Sequence, residues 1–422
     1  RPVSGSRMTL YRRPDAGSQA VWPWYDWPSR RWTARPGAAA ERMAGNLRAR
    51  LARIREAAAE PQRPVPIHQA SDDIATFPEG WETIGHGLRF HESVRRNDAM
   101  APPHAAIDLA IFSARLSGTI EAGNLLFFDL ETTGLSGGAG TVAFLAAFGS
   151  LRADGSLSIR QYFMDDYPFE PALIAAMGDE FARAGAVVSY NGSSFDLPLY
   201  AVRRTMVGLG PAPDLLHADA LHAARRLWRR SMPDCSLACL EAAALGVRRV
   251  GDIPGSEVPT VWFDFLRVGP SDRLARVFAH NEQDIASLAA LAFAVHDAAH
   301  GRRELPSVDA VGLAELRSRV DEALAERTLT AALEAGDARA TRPLMRLYRR
   351  TGRCGEIAPL VPFLPDDPAG LFSKSVYAER RLRDRREALR LAELAAELGR
   401  GALRDRAARR AARLRAGQTA FR

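Results

Sequence analysis

The stretch Leu125-Leu-Phe-Phe-Asp-Leu-Glu-Thr-Thr-Gly-Leu135 restricts the fold more than any other part of the chain. An apolar run leads into Asp129 and Glu131, and a Thr-Thr-Gly turn follows. A short apolar run bounded by a turn predicts a buried strand of an α/β sheet. Side chains alternate along a strand, so the two acids project to the same side. Like charges that close repel, and burial raises the cost. A fold keeps such a pair mainly when a cation sits between them, so the stretch predicts half of a divalent-metal site. The plainer alternative is a strand end whose acids face water. Two acids inside an apolar strand break local consistency, and such breaks tend to be functional.

The rest of the chain reads as an α/β domain followed by helices. Its 422 residues allow two or three domains, and a hydrophobic fraction of 47% suits a globular protein. The net charge is +7, carried by arginine, with Lys374 the one lysine. Guanidinium groups bind phosphate bidentately, which favours a polyanionic partner; a generic basic surface is the alternative. Three cysteines are too few for a disulfide framework. With no apolar run long enough to span a bilayer and no signal-peptide core, a cytoplasmic, membrane-free protein is expected. Cys235 and Cys239 lack further ligands at zinc spacing and read as small apolar residues.

Residues 1–75 form a basic, partly disordered arm with the unusual segment Trp22-Pro-Trp-Tyr-Asp-Trp27 and a helix from Ala38 to about Glu60. Residues 76–121 predict a β-ribbon and a lead-in helix from about Ala105 to Leu116. His86 and His91 on the ribbon read as surface or packing residues before metal ligands. After the Leu125 strand, Thr141–Ser150 and Leu157–Met164 continue an antiparallel meander. An amphipathic helix, the apolar strand Ala186–Asn191 and a helix from Phe195 come next. A strand near Asp214–His217, a basic helix Ala218–Arg230, a helix Ser236–Leu245 closed by Gly246, a rigid loop at 252–259 and a long helix Arg273–Ala298 follow. The order βββαβαβα predicts a five-stranded mixed sheet with flanking helices. From Leu305 the chain turns Ala/Leu/Arg/Glu-rich and helical, in the manner of a degenerate tetratricopeptide array or an ordinary bundle.

Three later acids join the opening pair. Asp196 ends Tyr190-Asn-Gly-Ser-Ser-Phe-Asp196, Asp219 lies near the end of the fifth strand, and Asp284 follows His280 by four residues, on the same helix face. Sites in open α/β sheets form at the carboxyl ends of strands, where the opening acids, Asp196 and Asp219 would gather.

Asp129, Glu131, Asp196 and Asp284 with His280 resemble the Asp-Glu-Asp-Asp exonuclease pattern of the ribonuclease H-like superfamily. Residues 122–295 are similar to the YprB-like predicted exonuclease family, whose nuclease domain is joined to a tetratricopeptide-like tail. The matching stretches are Phe128–Leu135, Tyr190–Asp196, His217–Trp228, Asp252-Ile-Pro-Gly255 and His280-Asn-Glu-Gln-Asp284. The resemblance implies a ribonuclease H-like exonuclease domain at 122–300 and a helical tail at 305–422. It implies a 3′→5′ exonuclease using two Mg²⁺ or Mn²⁺ ions. Asp129 would bridge both, Glu131 and Asp284 would complete one site, and Asp196 would act at the second through water. Such ions, roughly 4 Å apart, clamp the attacking and leaving oxygens. His280 would be the general base. In the subgroup with a His base, that residue usually stands five positions before the last Asp. Here the spacing is four, so His280 occupies the Tyr-type place.

Thr132 and Leu135 would hold the terminal nucleotide, with Asn191 and Phe195 lining the strand path. Arg225 and Arg226, with Arg229 and Arg230, would contact phosphates; a solvated helix face is the alternative. Asp219 would support the site from behind the ligands. The expected partners are DNA or RNA 3′ ends and a protein bound by the tail. Two other readings stay open: a catalytically altered nucleic-acid-binding module with a scaffold tail, and a structure-specific endonuclease on the same fold.

Overall fold

The structure is a computed structural model that describes residues 77–85, 87–96, 104–134 and 140–419. The arm of residues 1–75, its Trp22–Trp27 segment and helix, His86 and Leu135 lie outside the described residues.

Nine strands are present among those residues: β1 (Glu82–Thr83), β2 (Leu88–Arg95), β3 (Ala106–Asp108), β4 (Thr119–Glu121), β5 (Leu125–Thr132), β6 (Ala143–Leu151), β7 (Leu157–Met164), β8 (Ala186–Ser189) and β9 (His217–Asp219). Strands β5, β6 and β7 form the expected antiparallel meander, and β8 and β9 continue parallel to β5 on its other edge. The ribbon does not stand apart. β2 pairs antiparallel with β7 from Leu88↔Met164 to Arg95↔Leu157, so the five expected strands become a seven-stranded mixed sheet in the order β1-β2-β7-β6-β5-β8-β9. His91 packs: its Nδ1 lies 2.9 Å from the Gly80 carbonyl, and its ring stacks on Trp81.

The lead-in helix is a correction. Residues 106–108 and 119–121 pair instead as a two-stranded hairpin around a short 3-10 turn, Leu109–Ile111. The Ala- and Leu-rich composition permits a helix. Pairing Ile107 with Ile120 buries Ile107 fully in the core and wins over local propensity.

β5 is central because it is apolar on both faces, the signature of a strand covered twice. Leu126, Phe128 and Leu130 enter one hydrophobic cluster, and Leu125 and Phe127 enter the other. The helix Glu170–Arg183 and the helix Val258–Val268, the latter not singled out by the sequence pattern, lie in the first cluster. The long helix Asp272–Ala299, capped by the Ser271 side chain, reaches across both; its later turns cover the second. It comes so close to the sheet that a Cβ on Gly149 of β6 would lie 2.5 Å from Ile285 Cγ2. Helices Asp196–Met206 and Ala220–Trp228 follow β8 and β9 directly, and Leu237–Leu240 runs into a π-helical turn that Gly246 closes at φ 71°.

The tail from Ala310 to Thr419 is helical, and its hydrophobic residues form two further clusters. It is fixed to the sheet domain through the helix Ala220–Trp228. Asp309 N donates to Leu227 O at 2.7 Å and Trp228 Nε1 to Pro306 O at 3.0 Å. Among the described residues no helix is long and apolar enough to cross a membrane.

Candidate metal centre

Strand alternation sends Asp129 and Glu131 to the face that also carries Phe127, and the long helix covers that face. Phe127 meets Phe293 of that helix edge-on, with ring centroids 5.7 Å apart. Earlier turns of the same helix bring Asn281, His280 and Asp284 over the two acids. Asn281 is fully buried; its Nδ2 donates to Asp129 Oδ2 at 2.9 Å, and its Oδ1 accepts from Gln161 Nε2 at 3.1 Å. One carboxylate oxygen of Asp129 is thereby fixed by a residue 152 positions away.

Glu131, His280 and Asp284 form a cluster whose ligand atoms all lie within 4.8 Å of one another. His280 Nε2 is 3.5 Å from Asp284 Oδ2 and 3.9 Å from Glu131 Oε1. The other ring nitrogen, Nδ1, lies 2.7 Å from Asp252 Oδ1. Arg249 Nη1 lies 3.1 Å from the same Nδ1, so two groups compete for it; with the proton on Nδ1 and donated to the nearer Asp252, the Nε2 lone pair faces the acids. Two other carboxylates approach from outside. Arg249 makes a paired contact with Glu241 at 2.6 and 2.7 Å, reaches Asp252 Oδ2 at 3.1 Å, and binds Asp284 Oδ1. It holds the outer oxygen of Asp284 and leaves Oδ2 facing Glu131 and His280.

The electrostatics are those of crowded acids. Burial, then the charges of Asp284, Glu131 and Asp196, push the Asp129 carboxyl well above its ordinary range. Burial, Asp284, Asp196 and Asp252 do the same to Glu131, against the opposing pull of Arg249. Asp284 is also raised, by burial, while His280 and Arg249 resist. Burial lifts Asp196 to about 7, with Asp219 adding to the shift. Asp252 goes the other way: burial would raise it, but its hydrogen bond to His280 and the Arg249 guanidinium hold it below the ordinary value.

Such a set fits a divalent cation. Its donors are carboxylate oxygens, which suit Mg²⁺ or Mn²⁺, and the like-charge penalty is the one a cation removes. Asp129, Glu131 and Asp284 would hold it, with Asp196 alongside.

The other expected site residues fall in two groups. Thr132 is buried at the end of β5, just past a register shift, and its hydroxyl donates to Gly134 O at 2.9 Å. Asn191 is exposed with φ 69°, a conformation uncommon outside glycine, and Phe195 is half-buried at the start of the helix that carries Asp196. Asp219 is the scaffold of this loop. It accepts from Asn191 N at 2.8 Å and Ser193 N at 3.1 Å, and caps its own helix by accepting from Leu221 N at 3.1 Å. Arg225 and Arg226 are not among the groups around the carboxylates; they lie further along the helix from Asp219, against the tail.

Sequence reasoning missed Asp252, Arg249, Asn281 and Glu241. Asp252 opens the Asp252–Gly255 stretch that carries part of the resemblance, and Asn281 follows His280, so both were visible without a role.

A family model for the RNase_H superfamily matches residues 126–295, from β5 to the late turns of the long helix. The chain is also 32% identical over 285 residues to the uncharacterized protein YprB of Bacillus subtilis (strain 168), an alignment covering 64% of this chain and 68% of that protein.

Proposed function

The chain belongs to the family of YprB, with an RNase H superfamily domain at residues 126–295, and from that premise we propose that it is a metal-dependent 3′→5′ exonuclease acting on single-stranded DNA or RNA ends. The observation that carries the reading is the convergence of Glu131, Asp284 and the free Nε2 of His280 beside Asp129, with Asp252 fixing the ring from behind. A nuclease needs a charge-stabilised phosphate, a positioned water and a place for that water's proton.

In this mechanism Mg²⁺ or Mn²⁺ ions held by the carboxylates would polarise the scissile phosphate and lower the pKa of water. His280 Nε2 takes the proton as the water oxygen attacks phosphorus. The bond from phosphorus to the 3′ oxygen of the penultimate nucleotide breaks, that oxygen takes a proton from solvent to become the new 3′ hydroxyl, and a nucleoside 5′-monophosphate leaves. The imidazolium that forms lies between Asp252 on one side and Glu131 and Asp284 on the other, and these three carboxylates outweigh the Arg249 guanidinium 3.1 Å from Nδ1. The four-residue spacing places His280 one turn before Asp284, and the Asp252 contact aims it. By the resemblance, Thr132 and Leu135 would receive the terminal nucleotide, and Asn191 and Phe195 would border the strand.

A short strand labelled at its 5′ end, incubated with Mn²⁺, is expected to give a ladder shortened from the 3′ end, and Asp129→Asn to abolish it. Internal cuts alone would assign an endonuclease instead. A full-length strand with bound protein would favour the binding-module reading.

A further inference from the structure

The helix Ala220–Trp228 buries Ala223, Ala224 and Leu227 in the core, leaves Arg225 exposed and Arg226 half-buried, and has the exposed Arg229 and Arg230 just beyond its end. Where this helix meets the tail, these four arginines and Arg339 of the tail line one open cavity of about 650 Å³. Two carboxylates share the lining, and both are already engaged. Asp309 binds Arg339 at 2.6 Å and lies 3.7 Å from Arg230; Glu315 lies 3.2 Å from Arg226. Among the described residues no carboxylate pairs with Arg225 or Arg229. The cavity is therefore net positive, with two guanidinium groups exposed and unneutralised.

The joint that forms it is closely fitted. Besides the Asp309 and Trp228 hydrogen bonds, Ser231 Oγ donates to Ser307 O at 2.5 Å. A Cβ on Gly312 would lie 1.9 Å from Arg226 O, so the two backbones touch. The cavity is also tied to the proposed active site. Asp219, which caps this helix, holds the Asn191–Ser193 loop that leads into Asp196. At 1.5 Å of rise per residue, Arg225 and Arg229 stand roughly 9 and 15 Å along the helix from Asp219. A strand that passed Asn191 and then followed this helix would meet them in turn.

We propose that this cavity, shared between the nuclease domain and the tail, binds the phosphodiester backbone of a single-stranded nucleic acid some nucleotides upstream of its 3′ end. The inference rests on the nuclease reading above and extends it: the tail becomes part of the substrate track. Fully charged guanidinium groups without carboxylate partners suit phosphate, and a run of them suits a polymer more than a lone ion.

The test compares the full chain with its Arg225→Ala/Arg229→Ala variant by fluorescence anisotropy, in EDTA to prevent metal-dependent cleavage. The probes are a 5′-fluorescein oligo-dT of twelve nucleotides and one of three. Wild type is expected to bind the longer strand more tightly. In the variant that gain should shrink about tenfold, and the slope of log K against log salt should fall by about 1.4, at ~0.7 for each phosphate no longer neutralised. An Arg225→Lys/Arg229→Lys variant should keep most of the gain, because the interaction is one of charge. An unchanged gain and slope overturn the proposal. So does loss of affinity for a polyglutamate peptide with none for the strand, which would assign the cavity to an acidic protein. Both exchanged side chains are exposed, and matching circular dichroism confirms that the variants fold. Mn²⁺-dependent shortening of a labelled strand by wild type is scored separately, so failure of the catalytic reading is distinguished from failure of this one.

Discussion

At the scale of single residues, the cost of the acid cluster depends on the cation present. Asp129 is raised by burial and by three neighbouring acids, and one amide donor, Asn281, is what its own hydrogen bonding offers against them. Asp129→Asn removes a charge while keeping an oxygen for Asn281. In EDTA the variant is therefore expected to melt no lower than wild type. Mn²⁺ should raise the melting temperature of wild type, by an amount worth about 2.7 kcal/mol at a hundredfold excess over Kd, and leave the variant unmoved. A variant that melts lower in EDTA, or gains equally from Mn²⁺, would remove the metal assignment. Asp252 gives a second prediction. Its carboxylate accepts from His280 Nδ1; an amide there can donate, which favours the tautomer with the proton on Nε2. Asp252→Asn should lower kcat about 100-fold with KM little changed, while the Mn²⁺ effect on melting persists. Equal loss of both readouts would make Asp252 merely structural.

Among elements, what was legible was what local pattern dictates. β5 was readable because an apolar run bounded by a turn reads as a strand, and its two acids stood out against that run; the spacing of His280 and Asp284 placed them on one helix face. Roles made across the fold were not readable. Asn281 reaches Asp129 across 152 positions and Arg249 reaches Asp284 across 35, and no period in the sequence encodes either contact. The hairpin at 106–121 reads as a helix in the sequence for the same reason, since its stability lies in burial of Ile107. That hairpin also docks on the long helix through His296. Asp108 N donates to His296 Nε2 at 3.1 Å, and Arg302 Nη2 lies 2.9 Å from Nδ1. Burial, with the nearby His300 and Arg302, lowers His296 to about 4, against the weaker opposing pull of Asp297 and Asp108. The folded pKa lies below the unfolded one, so the stabilisation is present above about pH 6.5 and is lost as pH falls toward 4. Urea unfolding at pH 7 and pH 4 should differ by about 3 kcal/mol from this group alone, and His296→Gln should flatten that part of the pH dependence. A slope unchanged in the variant would place the acid sensitivity elsewhere.

For the molecule as a whole, the question is whether the tail is a separate body or part of the nuclease. The described residues fall in one compact unit, and the helix Ala220–Trp228 is common to the site and the joint. Its start is capped by Asp219 behind the Asn191 loop, and its end is clasped by Pro306, Ser307 and Asp309. Gly312 makes the clasp possible, because a side chain there meets backbone, which cannot rotate away. Gly312→Val should destabilise the chain by about 1–3 kcal/mol in denaturant titration. It should also speed proteolysis between residues 301 and 309 and reduce the gain in affinity from lengthening a bound strand, since the cavity that Arg339 and Arg229 both line would be disturbed. Gly370 provides the contrast. Its Cβ would lie 1.8 Å from Pro365 O, a clash confined to the tail. Gly370→Val should cost comparable stability yet leave the length-dependent gain intact, because the joint itself is untouched. If both glycine variants reduce the gain equally, general loosening explains the effect. If only Gly312→Val does, the joint between nuclease and tail is itself part of the binding track.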